Sequence, residues 1–251
     1  MIIDLAGKVA LVTGATGELG RVMVRTLAGC GADVAIHYLK AADRAAALGA
    51  EVRAMGRRWC AVQADVTKKP DVERMRDEVG RKLGAPDIIV NNAVIQFTWT
   101  SVMEQAAEDF HSQFESCTLQ NVFMAQAFAP AMIARKWGRI IAINTECALQ
   151  CWPTQGAYAA GKRGMDGALR VLAREIGEHG VTVNQVAPGW MVSESRPAKG
   201  RPEQYRQKVP LKRFGNDQDI ANAVAFLASD LAGYITGAFL PVCGGNIMVG
   251  I

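Results

Sequence analysis

No apolar run in this 251-residue sequence approaches the ~18 residues that a membrane-crossing helix needs. The stretch Ala223 to Ala228 ends at Ser229 and Asp230, and Met1 to Leu5 has neither the basic nor the apolar part of a secretory leader, so no membrane association is expected. Concentrated charge is also missing. The net charge is +4, and the Lys and Arg residues are dispersed rather than gathered into the basic stripe of a nucleic-acid binder, so no nucleic-acid partner is expected. Cys30, Cys60, Cys117, Cys147, Cys151 and Cys243 follow no disulfide framework; reduced thiols fit a cytoplasmic location. Cys147 and Cys151 stand close enough to suggest a metal site, but the three histidines, His37, His111 and His179, lie in other segments, and no metal is expected. No repeat or low-complexity linker interrupts the chain.

What is present suits one large core. With 50% apolar and 21% charged residues, residues 1–251 are expected to form a single α/β domain. Strand-like runs at Val9 to Val12, Asp33 to Tyr38, Trp59 to Ala64, Asp87 to Val90, Arg139 to Ile143, Val181 to Gln185 and Phe239 to Val242 alternate with helical patterns. That alternation predicts parallel strands joined by right-handed crossovers: a doubly wound, Rossmann-type parallel sheet with helices on both faces. Ligands of such a sheet bind at the carboxyl ends of its strands. Two longer helices are expected over Glu104 to Arg135 and Thr154 to Glu178.

The first strand breaks into Thr13-Gly14-Ala15-Thr16-Gly17-Glu18-Leu19-Gly20, followed by a helical pattern. Glycines let a backbone approach a pyrophosphate, and a helix N-terminus favours its negative charge. Far along the chain, Tyr158 and Lys162 stand one helical turn apart and share a face. A phenol titrates near pH ~10. A cation ~4 Å away at an effective dielectric of ~20 favours phenolate by roughly 4 kcal/mol before desolvation, which would make Tyr158 a usable acid or base near neutrality.

Together the glycine turn and the Tyr158/Lys162 pair resemble the short-chain dehydrogenase/reductase family, in the style of its 3-oxoacyl-carrier-protein reductases. The resemblance extends over roughly Leu5 to Gly245 through Asp65-Val66, Asn91-Asn92-Ala93, Thr145, Asn184 to Gly189, Ser193, Tyr234 to Gly237 and Gly244-Gly245. It implies hydride transfer between a nicotinamide cofactor and a small-molecule carbonyl or secondary alcohol. Tyr158 would be the acid/base, Lys162 would lower its pKa and hold the ribose, and Thr145 would position the substrate oxygen. Counting back from Phe123 puts Thr118 where the family has a catalytic asparagine. The cofactor would meet Gly14, Thr16, Gly17, Glu18, Leu19, Gly20, Tyr38, Lys40, Asp65, Val66, Asn92, Ala93, Val94, Pro188, Gly189 and Ser193, besides Tyr158 and Lys162.

Cofactor choice turns on the end of the second strand. A carboxylate there selects NAD by binding the ribose hydroxyls and repelling a 2′-phosphate; this chain has Tyr38, with Lys40 nearby, which favours NADP(H) over NAD(H). Several residues depart from the family pattern. Glu18 replaces a glycine and would set a carboxylate against the pyrophosphate, Val94 replaces another glycine, and Thr145 replaces a serine. Glu146, Gln150, Trp152, Trp190 and Met191 adjoin the catalytic segments and are candidate substrate contacts. A substrate lid is expected around 190–212, where Arg196, Lys199, Arg201, Arg206 and Lys208 suit an anionic substrate. The family commonly packs its two long helices against neighbouring subunits, implying a homotetramer or homodimer. The alternative is a catalytically impaired member that acts as a nucleotide-binding regulator or interaction protein; a third reading is nicotinamide chemistry without net oxidation.

Overall fold

The computed structural model describes residues 2–95, 98–199 and 202–249. In chain order its elements are β1 (Val9–Val12), α1 (Glu18–Gly29), β2 (Asp33–Tyr38), α2 (Ala42–Ala54), β3 (Trp59–Gln63), α3 (Lys69–Lys82), β4 (Ile88–Asn91), α4 (Ala107–Gln113), α5 (Gln120–Arg135), β5 (Gly138–Ile143), α6 (Cys147–Gln150), α7 (Gly156–Ile176), β6 (Val181–Pro188), β7 (Met191–Val192), α8 (Glu203–Lys208), β8 (Gly215–Asn216), α9 (Asp217–Ala228) and β9 (Phe239–Val242). Seven strands form one sheet in the order β3-β2-β1-β4-β5-β6-β9, with every neighbouring pair parallel. The chain winds outward from β1 to β3, then returns to lay β4 on the other side of β1. That reversal opens a crevice at the carboxyl edge between β1 and β4.

Strand side chains alternate between two cores, as a period of two requires. Ala10 and Val12 join Val24 and Leu27 of α1, Leu48 of α2 and Val224 and Leu227 of α9 on one face. Val9 and Leu11 join Met75 of α3, Phe128 of α5 and Leu169 of α7 on the other. Both faces are covered, and β1, β4, β5 and β6 are buried throughout; β1 is a continuous apolar run, while β6 also buries Thr182, Asn184 and Gln185. No helix among the described residues is long and apolar enough to cross a membrane.

The expected helix over Glu104 to Arg135 is broken. A π-helical segment, Phe114–Leu119, separates α4 from α5. A π turn widens the hydrogen-bonding step and upsets the α-helical pairing of backbone carbonyls; here the Gln120 side chain donates to the Ser116 carbonyl. The second expected helix begins at Gly156 rather than Thr154, because Thr154 adopts a left-handed φ of 70° that an α-helix cannot contain. The short parallel pair β7 and β8 brackets a segment that carries α8.

Candidate active site

The carboxyl ends of the strands open into one cleft of about 1080 Å³. Lys40, Asp65 and Val66 line it beyond β2 and β3; Gly14, Thr16, Gly17, Glu18, Leu19 and Gly20 line it after β1; Asn92, Ala93 and Val94 line it after β4. Thr145, Tyr158, Lys162, Pro188, Gly189 and Ser193 complete the opposite wall, with Glu146, Gln150, Trp152, Trp190 and Met191 around them. Two expected residues, Tyr38 and Thr118, are missing from that lining.

The glycine turn is built by close backbone approaches. Gly14 has φ +60°, and a Cβ there would lie 3.1 Å from Ala93 Cα. Asn92 braces the turn from β4, donating through Nδ2 to the Thr13 carbonyl at 2.9 Å, while the Asn92 and Ala93 N–H groups donate to Thr13 Oγ1 at 2.9 and 3.0 Å. Gly17 caps α1 without a side-chain cap, so the first N–H groups of a 12-residue helix lack that partner at the cleft wall. This is the arrangement that receives a phosphate.

The expected repulsion by Glu18 is offset. Arg21 meets its carboxylate at 2.6 Å, and the Ser195 N–H donates to it at 3.3 Å. Desolvation raises the Glu18 pKa, but the Ser195 hydrogen bonds and the charges of Arg21 and Arg196 outweigh it and hold the carboxyl below its usual range. Arg21 also reaches Glu194 at 3.1 Å, and Glu194 meets Arg25 at 3.5 Å. Residues of the 190–212 segment are therefore held against α1.

His37 was not singled out from sequence, yet it fixes the turn. The Gly14 N–H donates to its Nδ1 at 2.9 Å, while Nε2 lies 3.0 Å from the Ala64 carbonyl. A backbone donor needs a lone pair on Nδ1 and a carbonyl needs a proton on Nε2, so the two bonds select the neutral Nε2–H tautomer. Burial pushes its pKa below the usual histidine value. The folded state therefore disfavours protonation. This contribution to stability is complete above the unfolded pKa of ~6.5 and is lost progressively as pH falls toward the folded value. His37→Ala should cost about 2 kcal/mol, the order of two buried hydrogen bonds, and should flatten the loss of stability below pH ~6.5 in denaturant unfolding measured at a series of pH values.

Tyr38 corrects the expectation for the ribose end. It closes β2 half-buried and packs against the hydrophobic cluster that contains Leu48. Because alternate strand residues point to opposite faces, His37 and Leu39 line the cleft and Tyr38 does not. Lys40 follows, exposed and lining the cleft. Asp65 is held by donation from the Thr67 N–H at 3.0 Å and the Thr67 hydroxyl at 2.7 Å.

At the other end, Asn144 orders the end of β5. Its Oδ1 accepts the Thr145 N–H at 2.8 Å, and its Nδ2 donates to Gln185 Oε1 at 2.6 Å, whose Nε2 continues to Asp166 on α7 at 2.8 Å. Lys162 is 4% exposed and donates to the Ile143 carbonyl at 2.6 Å, with its ammonium 5.7 Å from the Tyr158 ring centroid. Burial works against the lowering of the Tyr158 pKa expected from Lys162. Burial first, then Cys117 and Cys147, push the phenol well above its ordinary value against a hydrogen bond with Thr145. Burial pushes Lys162 down.

Thr118 also departs from expectation. Its hydroxyl donates to the Gly161 carbonyl of α7 at 2.9 Å, inside the helix packing. The π segment lies between α4 and the residues used for counting, so Ser116 and Gln120 line the cleft instead, with Gln120 donating to the Ala93 carbonyl at 2.6 Å. Cys117 lies beneath, close enough to act electrostatically on both Tyr158 and Lys162.

Around the substrate end, Tyr205 of α8 reaches in from the 190–212 segment. Its hydroxyl donates to Glu146 Oε1 at 2.7 Å and accepts the Trp190 N–H at 2.8 Å, and its ring packs edge-on to Trp190 and stacks on Phe214. Ser193 donates to Asp217 at 3.0 Å. Of the five cations expected to favour an anion, Arg206 is paired with Glu203, Arg201 lies outside the described residues, Lys199 is exposed, Arg196 lines the cleft, and Lys208 lies over the Trp152 ring at 5.3 Å.

Comparison with known proteins agrees with this geometry. A family model described as enoyl-(acyl carrier protein) reductase matches residues 14–246. The 3-oxoacyl-(acyl-carrier-protein) reductase FabG of Staphylococcus epidermidis is 40% identical over 244 residues, covering 96% of this chain and 99% of its own. A blue fluorescent protein from a metagenomic library, solved in complex with NADPH, is 36% identical with a TM-score of 0.91, covering 98% of this chain and 100% of that one. A short-chain dehydrogenase from Burkholderia cenocepacia, solved with NADP, is 34% identical with a TM-score of 0.88, covering 97% and 99%. With a matched family model, full-length relatives and a parallel sheet carrying a glycine turn, the chain belongs to the short-chain dehydrogenase/reductase family of NAD(P)-dependent oxidoreductases, among members like the 3-oxoacyl-(acyl-carrier-protein) reductases.

Proposed function

We propose that this protein is an NADP(H)-dependent carbonyl reductase or secondary-alcohol dehydrogenase in which Tyr158 is the acid/base. The observation that carries this reading is the convergence of Thr145, Tyr158 and Lys162 in the same cleft as the uncapped N-terminus of α1. The cleft extends from Lys40 past the glycine turn to Tyr158, and its donors suit a dinucleotide. NADP(H) supplies or accepts the hydride when bound. Gly14, Gly17 and Gly20 bring backbone to the pyrophosphate, with Thr16 and Leu19 beside them; Asp65 and Val66 flank the adenine; Asn92, Ala93 and Val94 support the middle; Pro188, Gly189 and Ser193 hold the nicotinamide side. Thr145 orients the substrate oxygen, Tyr158 gives or takes its proton, and Lys162 holds the ribose. Retention of all three groups argues for chemistry over the regulatory alternative.

NADP is preferred because no carboxylate lines the cleft at the end of β2 and Lys40 does, so a 2′-phosphate meets a cation there. Residues 190–212 act as the lid over a small-molecule carbonyl or alcohol, and Arg196 and Lys208 suit an anionic group at its mouth. The exposed Phe114 and Val171, on the π segment and α7, support a homodimer or homotetramer. Six thiols with no disulfide fit the cytoplasm.

A fluorescence titration with NADPH and NADH tests the reading. NADPH should bind at least tenfold tighter, and Lys40→Ala should remove about tenfold of that affinity, the order of one charge-assisted hydrogen bond. Equal binding of the two nucleotides would remove the 2′-phosphate assignment. Binding of neither would favour the regulatory alternative.

A further inference from the structure

Glu146 directly follows Thr145, is only 4% exposed, and lines the cleft. Among the described residues no cation pairs with it. Its Oε1 takes a hydrogen bond from the Tyr205 hydroxyl at 2.7 Å, and its Oε2 takes one from Asn246 Nδ2 at 3.0 Å. Its backbone N–H is tied to the Pro188 carbonyl at 2.9 Å. Gly189 closes over the group so tightly that a Cβ there would lie 3.0 Å from Glu146 Oε2 and 2.6 Å from the Tyr205 hydroxyl. The carboxylate is therefore held in place by three separate segments.

Such a group is costly to bury. Buried charges are ordinarily paired with an opposite charge or a metal, and a carboxylate offers about four lone-pair sites. Two neutral donors occupy two of those sites, so the group retains acceptor capacity beside the proposed reacting carbonyl. Burial raises its pKa, consistent with a carboxylate short of positive partners.

We propose that Glu146 determines substrate specificity by accepting a hydrogen bond from a donor substituent, a hydroxyl or an ammonium, carried on a carbon next to the substrate carbonyl. The inference rests on the carbonyl-reductase reading and names its substrate class: hydroxy ketones and amino ketones. It also orients the substrate. An anionic group cannot sit beside the carbonyl, where Glu146 would repel it, and belongs at the mouth with Arg196 and Lys208.

The test is the NADPH-dependent kcat/KM of the full-length protein on 2-butanone, 1-hydroxy-2-butanone, 1-amino-2-butanone and 2-oxobutanoate, for the parent, Glu146→Gln and Tyr205→Phe. The parent should prefer the hydroxy and amino ketones over 2-butanone by about ten- to a hundredfold, the worth of a hydrogen bond to a charged group, and should disfavour 2-oxobutanoate. Glu146→Gln should collapse the amino-ketone ratio toward one. Tyr205→Phe keeps the carboxylate and removes one competing donor, so it should retain both ratios even if lid closure suffers. Absence of a donor preference in the parent, its loss in Tyr205→Phe, or an equal loss on every ketone in Glu146→Gln would overturn the proposal and leave Glu146 as a structural clasp. Reduction of plain 2-butanone reports separately on the underlying reading: no NADPH consumption with any ketone would overturn both.

Discussion

Tyr158→Phe is expected to lower kcat for carbonyl reduction by about 10²- to 10⁴-fold, the usual worth of a positioned general acid, while NADPH still binds. Phenylalanine keeps the ring between α7 and the cleft and removes only the hydroxyl. The direction of the Tyr158 pKa makes the expectation sharper. Burial keeps the proton on the phenol, so the side chain is poised as an acid, the form that reduction requires. Reduction should therefore be nearly flat in pH from 6 to 9 with respect to this group. The reverse oxidation needs the phenolate and should rise with pH across the same range. Steady-state rates in both directions, for the parent and for Tyr158→Phe, check both points; a Phe variant within threefold of the parent would remove Tyr158 from the chemistry.

Gly20→Ala should have the largest effect on cofactor binding. A Cβ at this position would lie 2.3 Å from the Gly14 carbonyl oxygen and 2.8 Å from Ala15 Cα. Both are backbone atoms of the phosphate turn, so neither can swing aside as a flexible side chain would. Relief requires moving the turn away from α1, and with it the Gly14 N–H that His37 receives. Overpacking of this kind costs about 1–3 kcal/mol in stability, and a displaced turn should weaken NADPH by roughly tenfold or more, as a loss of at least 1.4 kcal/mol would. Gly29→Ala is the matched control on the same helix, because a Cβ there meets nothing within 4 Å. Thermal unfolding and nucleotide titration of the two variants separate a local clash from a general intolerance of alanine in α1; equal NADPH affinity in both would refute the argument.

These expectations draw unequally on sequence and structure. The sheet was legible because strands buried on both faces are rich in apolar side chains, wholly so in Val9 to Val12, and the seven expected runs fall on the seven strands of the large sheet. The glycine turn was legible because only glycine tolerates the contact at Gly20. The π segment was not, since Phe114 to Leu119 continues a helical pattern and nothing in composition announces a wider turn. His37 was passed over because a lone histidine in an apolar strand looks like core, and its partners Gly14 and Ala64 come from either side of it in the chain. The spacing of Tyr158 and Lys162 put both on one helix face but did not say where the ammonium ends, which is the Ile143 carbonyl. Glu146 was visible as a neighbour of Thr145, but its clasp joins Tyr205 and Asn246, residues 59 and 100 positions away.

The π turn between α4 and α5 separates order along the chain from address in space. Upstream of Phe114 the residues follow one helical frame, and beyond Leu119 they follow another, so a ruler laid from either end reads a different residue at the same spot. Thr118, reached by number, lies in the packing against α7, while Ser116 and Gln120 stand at the wall of the cleft.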